Sequence, residues 1–200
     1  MTVPMILTLT RLAILPLFFV LMILPFSWAS YGALIVFVAA ALTDFLDGFL
    51  ARKLGQTSDL GAFLDPVADK LLTLTALIML VFVHQLSMVG LLAALCILWR
   101  EVGIMALRQA MAHKGHPVEV TWIAKVKTAV QFLAITLLLL AFAREDETIN
   151  IRGDETINII GQVLLVLAAL LTMHSFMGYV QAALPFFKDA DVQKHDEETL

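Results

Sequence analysis

Charge is what this sequence has least of. Asp, Glu, Lys and Arg make up 15% of its 200 residues, against 60% hydrophobic ones, and the mean hydropathy is +0.91. A soluble domain carries about 25% charged residues, so a water-facing globule is excluded and an integral membrane protein is expected. Cysteine is nearly absent. Cys96 is the single one and lies in an apolar stretch, which excludes an intrachain disulfide and a cysteine metal cluster. Basic residues interleaved with aromatics are also missing, so there is no nucleic-acid partner to look for. The five histidines, at 84, 113, 116, 174 and 195, show no metalloprotease-type spacing. His113 and His116 read as solvated loop residues, and His174, inside an apolar run, is expected to make an interhelical hydrogen bond.

What the chain has is long apolar runs. Six are present, at about 5–27, 31–53, 61–84, 87–112, 122–143 and 157–184. Each reaches the ~20 residues that a helix needs to cross a bilayer, and helices are the expected element because backbone groups in lipid must be satisfied internally. The opening residues mimic a signal peptide, with Arg11 ahead of an apolar 12–26. That run is long for a signal core and Ala29-Ser30-Tyr31 is a poor cleavage site, so it is read as a retained first span. The fold class expected is all-α: a polytopic membrane protein of six transmembrane helices with a polar cavity facing the cytoplasm. Residues 1–186 form the membrane domain, and 187–200 a polar, disordered tail.

Orientation follows from Lys and Arg. With the N-terminus inside, the inner ends hold Arg11, Arg52, Lys53, Lys70, Arg100, Arg108, Lys114, Lys125, Lys127, Lys188 and Lys194, and the outer side only Arg144 and Arg152. That bias places both termini in the cytoplasm. Short outer turns are expected near 27–30 and 84–87. The third outer loop is acidic and carries Asp-Glu-Thr-Ile-Asn-Ile twice, at 146–151 and 154–159. Two copies are too few for a repeat architecture and read as a local duplication in a tolerant loop.

Against this apolar background four aspartates stand at fixed spacing: Asp44-x-x-Asp47-Gly48-x-x-Ala51-Arg52, eight residues, then Gly61-x-x-x-Asp65-x-x-x-Asp69. Asp44 and Asp47 are three apart at the inner end of the second helix, and Asp65 and Asp69 four apart at the start of the third. Each pair shares a helix face. Unpaired, four such carboxylates would repel and take up protons. Hard divalent cations are the natural remedy, because they favour oxygen ligands. Two ions about 3.5–4 Å apart suit phosphoryl chemistry, where they stabilise attacking and leaving oxygens. Gly48, Ala51 and Gly61 remove side-chain bulk beside the carboxylates. Arg52 adds a planar cation suited to phosphate oxygens, and Ser58 a hydroxyl in the linking loop. Small residues in membrane helices also serve as packing surfaces; it is the whole constellation that points to chemistry.

These residues match, at every fixed position, the long and specific signature of the CDP-alcohol phosphatidyltransferase family, which the chain resembles over about residues 4–184. Phe63-Leu64-Asp65-Pro66-Val67-Ala68-Asp69-Lys70, Arg100-Glu101-Val102-Gly103-Ile104 and Lys125-Val126-Lys127-Thr128 look like the bacterial members that transfer to glycerol 3-phosphate. The resemblance implies six transmembrane helices, usually dimeric, in the bacterial inner membrane. It implies two Mg²⁺ or Mn²⁺ ions held at Asp44, Asp47, Asp65 and Asp69, with Asp69 also the general base. The CDP part of CDP-diacylglycerol would lie against Gly48, Arg52 and Ser58. The family often has Pro-Asn near the start of the first helix, where this chain has Pro4-Met5, and often Thr where it has Ser58.

A glycerol 3-phosphate acceptor needs cations. Arg100, Arg108, Lys125 and Lys127 are the candidates, on the inner halves of helices four and five. Arg100 and Arg108, eight apart, share a face. Lys125 and Lys127, two apart, do not, so one is expected at the site and the other paired or snorkelling. Glu101 is expected to pair with a neighbouring cation. The activity expected is transfer of a phosphatidyl group from CDP-diacylglycerol, drawn from the membrane lipid, to glycerol 3-phosphate, with release of CMP. The alternatives are the same chemistry on phosphatidylglycerol, inositol phosphate or serine, and, more remotely, a divalent-cation channel or transporter, because intramembrane acids also mark ion paths.

Overall fold

A computed structural model describes the backbone of residues 3–54, 59–113, 122–144 and 155–197, and side chains over 9–43, 67–68, 70–107, 111, 126–144 and 155–181. Among these residues the chain is all helical: α1 (Val3–Ile23), α2 (Ser27–Leu54), α3 (Asp59–Phe82), α4 (Met88–His113), α5 (Trp122–Ala143) and α6 (Glu155–Glu197). Three stretches are long and apolar enough to cross a membrane, Met88–Leu107, Val126–Ala143 and Glu155–Gln181. The described parts of α1, α2 and α3 are shorter apolar helices, Leu9–Ile23, Ser27–Thr43 and Lys70–Phe82.

Local chemistry sets the breaks. Between α1 and α2 the turn falls at 24–26, a few residues before the expected position. Pro25 explains the shift: it lacks an N–H, and it pushes the residue before it out of the helical region. α3 ends in a Schellman motif. Gln85 N–H donates to the Leu80 carbonyl at 3.0 Å and His84 N–H to that of Val81 at 3.1 Å, with His84 at φ 57° in the position usually held by glycine. Ser87 then caps α4, its Oγ accepting from Gly90 N–H at 3.2 Å. The same hydroxyl donates to Gln162 Oε1, and Asn158 Nδ2 donates to Gln85 Oε1 at 2.8 Å, so the α3–α4 turn is tied to the start of α6. At its other end α6 runs unbroken to Glu197, so the tail expected to be disordered is helical over most of its length. Its Lys, Asp, Ala, Gln and Glu content is compatible with continuing a helix once one is nucleated.

α5 packs along α6, α6 along α4, α1 along α2 and α3, and α2 along α5. α4 and α6 run parallel at a nearly constant offset: Ser87 meets Gln162, Arg100 meets Ser175 and Gly103 faces Phe176. The core is built from small residues on α2 (Ala29, Ala33, Ala40) opposite large ones, with Phe18, Phe37, Leu77, Leu138 and Leu165 fully buried. Phe37 links three helices, its ring 6.2 Å from that of Phe18 and 5.6 Å from that of Phe132. The outward faces are apolar: Trp99, Ile35, Leu170 and Phe82 are all more than half exposed, as suits side chains that meet lipid rather than water.

Candidate active site

The structure gathers charge where the sequence is poorest in it. Glu101 on α4 is buried and meets three cations from three helices. Its Oε1 accepts from Lys127 Nζ of α5 at 2.6 Å and from Arg100 Nη1 at 2.9 Å. Its Oε2 accepts from Lys70 Nζ of α3 at 2.8 Å. Arg100 Nη2 also donates to Ser175 Oγ of α6 at 3.3 Å. Arg100, Glu101 and Lys127 are each less than 5% exposed, whereas Lys70 is 29% exposed.

The architecture explains how four side chains meet. Among the described residues α4 and α5 do not pack on each other; α6 lies against both, and α3 approaches them over short stretches only. Long side chains therefore fill a space that no backbone occupies. Its polar lining continues on one face of α5, with Lys127 and Gln131 four apart, and on one face of α6, with Thr172, Ser175 and Tyr179, all buried. Arg100 Nε and Thr172 Oγ1 have no hydrogen-bond partner among the described residues. Buried polar atoms are rarely left unpaired, so each has room for water, a ligand or a side chain outside the described residues.

Among the described residues the cluster holds three cations and one carboxylate, a formal net charge of +2, with the side chains of the neighbouring aspartates outside them. An excess of cations over carboxylates of this kind suits an anion such as a phosphate.

The candidate residues divide accordingly. Arg100 and Lys127 are brought together. Lys127 points inward; the side chains of Lys125 and of Arg108 lie outside the described residues. Asp44, Asp47, Gly48, Ala51 and Arg52 stand on the last turns of α2, and Gly61, Asp65 and Asp69 on the first half of α3. Their side chains, and Ser58 altogether, lie outside the described residues. At about 1.5 Å per residue, Asp65 and Asp69 sit roughly 20–25 Å along α3 from its end at Phe82, and Arg100 roughly 18 Å along α4 from Met88. The acidic turn of α3 and the cation cluster are thus at similar depth, and Lys70 follows Asp69 directly.

Some participants were not singled out from sequence. Lys70 enters the sequence reading as an inner-end cation and as the last residue of a segment of family resemblance, without a site role, although it extends the acidic motif by one residue. Ser175 and Tyr179 carry no signal beyond being polar at positions 175 and 179 of an apolar helix. Arg11, also counted for topology, is 2% exposed. His174 is exposed rather than bonded between helices; Ser175, the next residue, takes the inward direction.

The family CDP-alcohol phosphatidyltransferase matches residues 1–182. A protein of Shigella flexneri named CDP-diacylglycerol–glycerol-3-phosphate 3-phosphatidyltransferase is 40% identical over 183 residues, covering 90% of this chain and 94% of its own. Proteins of the same name are 43% identical over 185 residues in Sodalis glossinidius, covering 92% and 95%, and 40% identical over 192 residues in Pseudomonas fluorescens, covering 94% and 93%. With a match of that extent, the chain belongs to the CDP-alcohol phosphatidyltransferase family.

Proposed function

We propose that this chain transfers the phosphatidyl group of CDP-diacylglycerol to sn-glycerol 3-phosphate, producing phosphatidylglycerophosphate and CMP in phospholipid biosynthesis. The observation that carries the acceptor is the excess of cations over carboxylates around Glu101 among the described residues, which suits a phosphate dianion better than a zwitterion of no net charge such as serine. The names of the relatives support the same donor and acceptor.

In this reading the acceptor phosphate binds Arg100 and Lys127, with Lys70 beside it and Arg108 and Lys125 on the same two helices. Asp69, next to Lys70, accepts the proton of the sn-1 hydroxyl. The new P–O bond forms at the phosphorus bearing diacylglycerol as the P–O bond to CMP breaks. Arg52 faces the leaving phosphate, and Ser58 and the small residues Gly48, Ala51 and Gly61 admit the cytidine nucleotide. Asp44, Asp47, Asp65 and Asp69 form an all-oxygen donor set on two consecutive helices, which fits Mg²⁺ or Mn²⁺. Two such ions, when bound there, would supply the positive charge that a diphosphate between four carboxylates requires.

All six helices cross the bacterial inner membrane in this proposal, with both termini and the polar cavity on the cytoplasmic side, as the Lys and Arg distribution supports. The functional unit is a homodimer, as the family resemblance implies. The test is a panel of radiolabelled acceptors, glycerol 3-phosphate, phosphatidylglycerol, inositol phosphate and serine, with CDP-diacylglycerol and purified protein, each with Mg²⁺ or with EDTA. Incorporation of glycerol 3-phosphate alone, lost in EDTA and restored by Mg²⁺ or Mn²⁺, is expected. Label entering another acceptor instead rejects the assignment.

A further inference from the structure

The acceptor reading uses the cations and leaves the carboxylate at their centre unexplained. A phosphate site gains nothing from a buried negative charge unless that charge does something the cations cannot do alone. Lys70, Arg100 and Lys127 come from three helices, of which α4 and α5 do not pack on each other among the described residues. Three like charges on long, flexible side chains repel, and each side chain gives up rotamer freedom when it is held. Left to themselves they would splay or snorkel toward water. Glu101 draws all three to within 2.6–2.9 Å of its two oxygens. It takes one N–H from each, while a guanidinium has five and an ammonium three. Most of the donor capacity of Arg100 and Lys127 is thereby held in place and still available, and Arg100 Nε is without a partner among the described residues.

We infer that Glu101 is a positioning residue for the acceptor: it gathers Lys70, Arg100 and Lys127 into one phosphate cradle and ties that cradle to α3. The tie follows from connectivity. Lys70 is the residue after Asp69, and its pair with Glu101 joins the acidic turn of α3 to α4, two helices whose direct packing is slight. Glu101 therefore sets where the acceptor's phosphate sits relative to Asp69, and with it where the sn-1 hydroxyl arrives. This inference rests on the acceptor reading above.

The test measures Glu101→Gln and Glu101→Asp beside the wild type, each purified to a monodisperse, thermally folded peak, with KM determined separately for glycerol 3-phosphate and CDP-diacylglycerol. Glutamine keeps the shape but turns an N–H₂ toward the cations. Its KM for glycerol 3-phosphate is expected to rise at least about tenfold, while that for CDP-diacylglycerol stays within about twofold. Aspartate keeps the charge on a shorter arm and is expected to recover part of the loss. If Glu101→Gln does not yield folded protein, Glu101→Asp is judged by the same split. An unchanged KM for glycerol 3-phosphate, or an equal rise for both substrates, overturns the positioning role and leaves the acceptor assignment standing. A wild type that does not use glycerol 3-phosphate overturns the acceptor assignment itself, and the positioning role with it.

Discussion

Replacing Lys127 by Met is the sharpest probe of the cation cluster, because the structure says what remains afterwards. Lys127 is 3% exposed and its ammonium donates to Glu101 Oε1 at 2.6 Å. Arg100 shares that oxygen at 2.9 Å, and Lys70 holds the other at 2.8 Å. Met has nearly the same length and volume, so the α5 face keeps its packing. Glu101 loses one of three partners and is not orphaned. The full penalty for a stranded buried charge, ~3–5 kcal/mol, therefore does not apply, and the protein is expected to fold.

The cost falls on the ligand. The cluster drops from a net charge of +2 to +1, and the acceptor phosphate loses one charge-assisted hydrogen bond, worth ~1.5–3 kcal/mol. That corresponds to a loss of roughly 10- to 150-fold in kcat/KM for glycerol 3-phosphate. The donor lipid does not touch Lys127 in this reading, so the KM for CDP-diacylglycerol is expected to move by less than about twofold. Steady-state transfer of labelled glycerol 3-phosphate in mixed micelles, with each substrate varied in turn, measures both. A loss below about threefold in folded Lys127→Met, or a parallel loss for both substrates, would show that the ammonium is a structural partner of Glu101 and nothing more.

Two further substitutions test the proposal and the fold beneath it. Asp69→Asn should abolish transfer while leaving the protein folded and inserted; substantial retained turnover in the acceptor assay removes the base assignment. Gly161→Ala should weaken the α5–α6 seam. Its Cβ would lie 2.9 Å from Leu138 Cγ and 3.3 Å from the Leu138 backbone nitrogen, an overlap costing ~1–3 kcal/mol and, at this chain length, a melting point lower by about 2–4 °C per kcal/mol. Unchanged thermal denaturation in detergent would refute so close an approach.

The helices were legible because their signal is strong: an apolar run long enough for a bilayer leaves the backbone few alternatives to a helix. Their ends were less so. Pro25 moved the first turn, and the tail after Lys188 continues α6 as an extension of a helix already nucleated, although its residues are too polar to predict a packed partner. The site was legible in part. That Glu101 would find a cation follows from the cost of a bare carboxylate in an apolar segment; that it finds three is a tertiary fact, since α3, α4 and α5 are brought around it by packing remote in sequence. Lys70 shows the limit well. In a list of charges it is one more lysine; in the fold its ion pair with Glu101 links the acidic turn of α3 to α4. Ser175 and not His174 faces inward for a similar reason: the choice between adjacent residues depends on which face of α6 meets α4, and both faces of that helix are apolar enough to be the inner one.

The same cluster decides between transfer and transport. Acidic residues inside a membrane are compatible with a path for divalent cations, and four aspartates at one end of two helices would suit its entrance. Such a path must continue. At similar depth to the acidic turn of α3, this bundle instead holds three cations around one carboxylate among the described residues, which offers a divalent cation no further set of oxygen ligands. Toward the Phe82 end of α3 and the Met88 end of α4, Leu77, Leu80, Leu138 and Leu165 are all fully buried. A cation attracted to the aspartates thus meets cationic side chains and then a packed apolar core. Aspartates on the first half of α3, with cations gathered around Glu101 at similar depth, suit the proposed transfer to a phosphorylated alcohol better than a path for cations.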